Sequence, residues 1–227
     1  MAGAAAVALV PMRRAMGLTA QTVAPGFLET RLFNFHDQAD PAAIAEIVAR
    51  MRALAGTAGV DSVLIGRNFV PDPFPARFEW ISMIQFKPAA ADAWAPCQAL
   101  CTDLARMCRN QVASSLRREF APGFGGAPGV GVRHTVMFDF RTDASPADQA
   151  RNVDAIREMG KLPMVQAYQV EPSASYPGDP TQMQWQVIGD FASVADYRAY
   201  AAAPMHLAIR DDFKAHTARV AFLDVKP

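Results

Sequence analysis

The chain has 227 residues, of which 51% are hydrophobic and 19% charged, with Lys+Arg and Asp+Glu balanced at 22 each. That is the composition of an ordinary globular protein, long enough for one large core or two small ones. The balanced charge leaves no basic footprint for nucleic acid or for an anionic membrane surface, so neither is an expected partner.

Residues 1–26 form an N-terminal extension unlike anything that follows. Its apolar run, Ala4 to Val10, is too short to span a bilayer, and Arg13 and Arg14 come after the run, where a secretory signal carries its charge before it. The expectation is a loosely docked extension on a cytoplasmic protein. The alternative is a truncated signal peptide on an exported one.

Residues 27–121 read as strand, helix, strand, strand, helix, strand, with a long second helix expected from Ala91 to Arg118. Cys97, Cys101 and Cys108 would share one stripe of that helix as buried small apolar residues. Their odd number argues against a disulfide framework. With no histidine or CxxC pair near them, no metal is expected. Residues 122–131 follow as a linker, since Pro122, Gly123, Gly125, Gly126, Pro128, Gly129 and Gly131 cannot support regular structure.

Residues 132–227 repeat the same order. Arg133 to Phe140 alternates as a half-buried strand, with His134, Val136, Phe138 and Phe140 on one face. Ser145 and Pro146 supply a cap and a first-turn proline for a helix to Met159, and strands are expected at Met164–Val170 and Gln184–Phe191. A helical region from Ala195 to Ala215 is interrupted at Pro204, and Arg219 to Val225 is the last strand. Tyr197 and Arg198 read as solvated helix residues, and His36 and His216 as surface.

The two units match without a gap at an offset of 105 residues: Phe33, Phe35, Pro41, Val48, Arg52, Trp80 and Phe86 fall on Phe138, Phe140, Pro146, Val153, Arg157, Trp185 and Phe191. At the same offset, His134, Tyr200 and His206 meet Glu29, Ala95 and Cys101. The second unit is equipped for chemistry; the first is a degenerate framework. Each βαββαβ unit places its helices on one sheet face and leaves the other apolar face uncovered, so two units bury each other. The expected fold class is therefore α+β, with tandem ferredoxin-like repeats forming an intrachain pseudo-dimer in a monomeric chain.

The second unit resembles the stress-responsive A/B barrel domain, a branch of the dimeric α+β barrel superfamily. Three islands carry the likeness: RHTVMFDF from Arg133, LPMV from Leu162, and DFASVADYRAYAAAPMHLAI from Asp190 to Ile209. The resemblance implies a pseudo-dimeric α+β barrel with a pocket for a small molecule. Plant polyketide cyclases of the olivetolic acid type, members of that family, close a linear polyketide by aldol condensation with a Tyr and His pair. By motif, Tyr200 matches their catalytic tyrosine, His206 their catalytic histidine and His134 their pocket histidine. Ala203 departs from the pattern, which has a further histidine before the proline.

The residues themselves suit such chemistry. Removing a proton α to a carbonyl needs a base and a donor for the developing enolate oxygen. Pro204 fits the first helical position, which places His206 near the positive helix end and favours neutral imidazole. Tyr200 could donate its hydroxyl, while His134 and Val136 line the substrate pocket. Three readings stay open: a cofactor-independent cyclase or lyase, a ligand-binding protein without turnover, and a monooxygenase. A haem-dependent version of the last has only His206 as an obvious axial ligand; no cofactor is expected.

Overall fold

The same local signal starts the first helix of both repeats. Asp40 accepts from the Ala42 amide ahead of Pro41, and Ser145 accepts from the Asp148 amide ahead of Pro146. The cap satisfies an amide that the helix leaves free, and proline is preset for the first turn. The computed structural model describes residues 26–69, 78–87, 111–122, 124–172 and 182–227. In the first repeat β1 (Phe27–Phe35), α1 (Pro41–Ala53), β2 (Val60–Arg67), β3 (Trp80–Phe86) and β4 (Val112–Pro122) follow one another. The second has β5 (Val132–Phe140), α2 (Pro146–Met159), β6 (Ala167–Pro172), β7 (Trp185–Phe191), α3 (Val194–Ala202), α4 (Pro204–His216) and β8 (Thr217–Val225).

Two antiparallel four-stranded sheets result, ordered β2-β3-β1-β4 and β6-β7-β5-β8. The topology is the same twice, so the chain is a tandem ferredoxin-like α+β structure. The repeat extends to side-chain geometry. Phe33 stacks on Trp80 at 6.4 Å between ring centres and meets Phe35 edge-on at 5.4 Å; Phe138 stacks on Trp185 at 6.1 Å and meets Phe140 edge-on at 5.3 Å.

The sheets pack face to face. Leu28, Leu32, Ile81 and Met83 of the first sheet share one buried cluster with Met137, Ile188, Leu223 and Val225 of the second. Burying each such side chain contributes roughly 1.5–3 kcal/mol, which neither sheet would gain alone. Across this interface Gln186 Nε2 donates to Thr30 Oγ1 at 2.9 Å. The contact corrects one expectation: β5 is buried on both faces rather than half-buried, because Thr135 and Met137 lie in the inter-sheet core while His134 and Phe138 lie under the helices.

A second correction concerns the long helix expected to reach Arg118. Val112–Pro122 is a strand, pairing Leu116 with Leu32 and Val112 with Phe35 on β1. Hydrogen bonding to β1 overrides the local helical preference of Ala, Leu and Arg. The earlier part of that helix, its three cysteines and residues 1–25 lie outside the described residues.

The Gly- and Pro-rich joint is held at two points. Phe124 packs against the inter-sheet core, and its amide donates to Gln85 Oε1 at 3.1 Å. Asp190 accepts from Arg133 Nε at 2.7 Å, from Arg133 Nη2 at 2.8 Å and from the Ala127 amide at 3.0 Å. A buried, bidentate, fully bonded carboxylate fixes where the second repeat begins.

Candidate functional site

Helices α3 and α4 lie end to end, broken at Ala203, whose extended backbone (φ −62°, ψ 134°) caps the first and starts the second. The break follows from Pro204, which disfavours helical backbone at the preceding residue. It allows Tyr197 and Tyr200, three positions apart on α3, to face the sheet together, while His206 points from the first turn of α4. Beneath them a cavity of about 460 Å³ is lined by residues of the second repeat. His134, Val136, Tyr200 and His206 all line it, joined by Met159, Tyr168, Tyr197, Phe213 and Phe222.

Tyr200 is the centre of the group. Its side chain is 1% exposed, and its ring lies 4.7 Å from the His206 ring, 6.0 Å from His134 and 5.0 Å from Phe191. Its hydroxyl is 3.1 Å from that of Tyr168 and donates to Met159 Sδ at 3.7 Å. With the Tyr200 proton on the sulfur, Tyr168 is the donor between the two hydroxyls. Thioether sulfur is a weak acceptor, so a ligand oxygen near Tyr200 can displace it without great loss. Burial pushes the Tyr200 hydroxyl up to about 12, so it stays protonated at neutral pH.

His206 is held in the opposite sense. Burial, and to a lesser extent the neighbouring His134, push its imidazole down to about 4, partly offset by the Ala201 backbone. Its Nδ1 is buried and has no hydrogen-bond partner among the described residues. A buried acceptor left unsatisfied costs about 1–3 kcal/mol, which a bound donor or an incoming proton would relieve.

Behind the cavity wall sits a carboxylate that sequence reading passed over. Asp224 is directly opposite His134 in the β5–β8 register and fully buried. Its Oδ1 lies 2.7 Å from His134 Nδ1, and its Oδ2 accepts from the Tyr197 hydroxyl at 2.7 Å. Tyr197 is therefore buried, not solvated as its position in the helical run suggested; burial and the Asp224 charge push its hydroxyl well above the usual tyrosine range. The carboxylate fixes the orientation of His134, leaving its Nε2 for the cavity. The first repeat supports it from outside: the Asp224 amide donates to Asn68 Oδ1 at 3.1 Å, and its carbonyl accepts from the Phe69 amide at 3.1 Å.

Tyr168 was also missed. Its ring fits between two glycines: a Cβ on Gly160 would lie 2.8 Å from it and one on Gly189 3.1 Å. At the repeat offset Gly189 and Tyr168 become Ile84 and Val63, a cross-strand pair packed with the first repeat's own core. Glu29, the counterpart of His134, is bound instead by Arg31 at 2.8 Å. Among the described residues, no group of three or more His, Cys, Asp or Glu side chains converges as a metal site. Nor is any helix among them long and apolar enough to cross a membrane.

No curated protein matches the chain. Three solved structures share its architecture over nearly the whole length. A candidate monooxygenase from Lactobacillus acidophilus superposes with a TM-score of 0.51 at 10% identity, covering 88% of this chain and 93% of that one. One from Fusobacterium nucleatum gives 0.58 at 9%, covering 90% and 93%. An anthrone oxidase-like protein gives 0.58 at 13%, covering 91% and 93%. At such identities the likeness is one of fold. Residues 132–227, which hold the whole cavity, match the Stress responsive A/B Barrel Domain, so it is the second repeat that carries the likeness to that family.

Proposed function

We propose that the second-repeat cavity binds a small aromatic or polyketide-like carbonyl compound and moves protons on it without a cofactor, as a cyclase or lyase does. The observation that supports this most is the buried, unpartnered Nδ1 of His206 beside the protonated hydroxyl of Tyr200. His206 takes the proton from the carbon α to a carbonyl, and Tyr200 donates a hydrogen bond to the enolate oxygen. The enolate carbon attacks a second carbonyl of the same molecule, whose oxygen recovers the proton from His206. Burial makes His206 a weak base on its own. The enolate formed beside it compensates, because opposite charges in a low-dielectric site stabilise each other strongly. His134, held by Asp224, orients the substrate, and Val136 contributes apolar wall.

A second reading draws on the full-length architecture shared with an anthrone oxidase-like protein and two candidate monooxygenases. In it the same deprotonation prepares an electron-rich carbanion that reacts with dioxygen. Both readings take the chain as a monomer, its two sheets covering each other; a dimer as the only species on sedimentation would overturn that part. One experiment separates the chemistries: solvent-deuterium exchange into an aryl methyl ketone by NMR, with oxygen uptake recorded in parallel on anthrone. Exchange that disappears in His206→Ala, without oxygen uptake, supports the cyclase or lyase reading. Uptake lost in the same variant supports the second. Binding of both probes with neither reaction leaves a ligand-binding protein.

A further inference from the structure

Two phenols from different elements meet in the cavity wall. Tyr168 comes from β6 and Tyr200 from α3, and their hydroxyl oxygens lie 3.1 Å apart. The place of the first is set by its seat. Gly189, its cross-strand partner on β7, faces one edge of the Tyr168 ring, and Gly160, at the end of α2, faces the other; a side chain at either glycine would have to move the ring. The direction of the bond is set from the far end. Tyr200 gives its proton to Met159 Sδ at 3.7 Å, so its oxygen receives the proton of Tyr168. Met159, Tyr168 and Tyr200 all line the cavity, so this chain of donors ends at the space a ligand enters. Tyr197, also in the wall, stands outside the chain because its hydroxyl goes to Asp224. At the repeat offset Tyr168 and Tyr200 become Val63 and Ala95, and the first sheet pairs normally with Val63 in that place. The sheet therefore does not need the Tyr168 hydroxyl.

We propose that Tyr168 is a positioning residue for the reaction: by donating to the Tyr200 oxygen it extends a single phenol into a chain of two donors that ends on the oxyanion developing in the ligand. The assignment rests on the function proposed above and adds a residue to it. When a ligand oxygen replaces the Met159 sulfur, Tyr200 donates to that oxygen while still accepting from Tyr168. Negative charge growing on the ligand draws the Tyr200 proton outward and leaves more charge on the Tyr200 oxygen, which tightens the bond from Tyr168 in turn. Such chains strengthen each member by roughly 10–30% in a low-dielectric site. Burial holds the Tyr200 hydroxyl high, and the bond from Tyr168 works against it, which is the direction a better donor needs. Burial, and then Tyr200, push the Tyr168 hydroxyl well above the usual tyrosine range, so it keeps its proton and remains the donor. Neither tyrosine loses a proton over the cycle; both bonds tighten and relax again once the enolate is consumed.

The test uses the full chain and 4-nitrophenol, whose yellow ionised form reports how much charge the bound oxygen carries, with nitrobenzene as the neutral comparison. His134, His206, Arg210 and Lys214 also line the cavity and act on a bound phenolate, so the variants are compared with one another at one pH. Tyr200→Phe should lower the preference for phenolate over phenol by at least about tenfold. Tyr168→Phe, which keeps the ring in its glycine seat, should lower it by about three- to tenfold. Nitrobenzene should bind equally well throughout. Because Tyr168 acts through Tyr200, its substitution should cost less than about twofold once Tyr200 is already phenylalanine. An unchanged preference in Tyr168→Phe, an equal loss for nitrobenzene, or a full loss in the Tyr200→Phe background overturns the Tyr168 assignment and leaves the roles of Tyr200 and His206 standing. If Tyr200→Phe itself changes nothing, or 4-nitrophenol does not bind, the functional reading falls together with this one.

Discussion

His134 and Asp224 face each other across β5 and β8, with Nδ1 and Oδ1 2.7 Å apart and both residues buried. The carboxylate also carries the Tyr197 hydroxyl, so one side chain holds two walls of the cavity. Asp224→Ala should destabilise the chain by roughly 3–5 kcal/mol, since it strands both partners in a dry site. Asp224→Asn, which keeps the shape and one acceptor, should recover part of that loss. Urea unfolding at constant m-value measures both. A loss under 1 kcal/mol in the alanine variant would mean that the pair is not coupled to the fold.

His206 sets a pH dependence whose sign can be worked out. Its folded value, about 4, lies below the ordinary 6.5, so on acidification the unfolded chain takes the proton first. Stability from this group is complete above pH 6.5 and is lost as pH falls toward 4. NMR titration should show the His206 ring still neutral at pH 5, and His206→Gln should flatten the stability profile in that window. A ring midpoint near 6.5 would contradict this.

Thr30 and Thr135 are equivalent under the repeat, and only one has a partner. Gln186 bonds Thr30, but the residue equivalent to Gln186 is Ile81, and Thr135 Oγ1 is buried without a partner among the described residues. Thr135→Val should therefore be neutral or stabilise by up to about 1 kcal/mol, whereas Thr30→Val should cost about 1–3 kcal/mol. Thermal melts of the two variants give the comparison directly. Equal losses would show that the hydroxyls are not distinguished.

Gly189→Ala should damage the site more than the fold. The added methyl would sit 3.1 Å from the Tyr168 ring and push it off the Tyr200 hydroxyl. Overpacking of this size typically costs 1–3 kcal/mol. The informative readout is probe affinity, expected to fall at least fivefold, with Gly56→Ala, where no atom lies within 4 Å, as the control.

The repeat, its strand order and the inward face of β5 were legible because identical aromatic and proline positions recur at one offset and a two-residue period survives in the strand. His134, Val136, Tyr200 and His206 could be picked out by motif and by spacing from Pro204. Tyr197 was misread because its exposure depends on where α3 ends, and a nine-residue helix sets its own phase. Asp224 carries no local signal, since only strand register places it opposite His134. Tyr168 depends on two glycines 29 residues apart, at 160 and 189. The strand at Val112–Pro122 was read as helix because pairing with β1, which decides it, is not a local property.

A homodimer must carry every substitution twice, once in each cavity and once in each wall. Here the covalent joint, anchored through Phe124 and by Asp190, lifts that obligation, so Val63 and Ile84 pack into the core of one repeat while their counterparts Tyr168 and Gly189 shape the cavity wall of the other. The first repeat also braces the site from outside, because Asn68 and Phe69 bond the backbone of the strand at Asp224. Changes in the residue-68 turn, far along the chain from any reactive group, should then register as changes in the neighbouring chemistry.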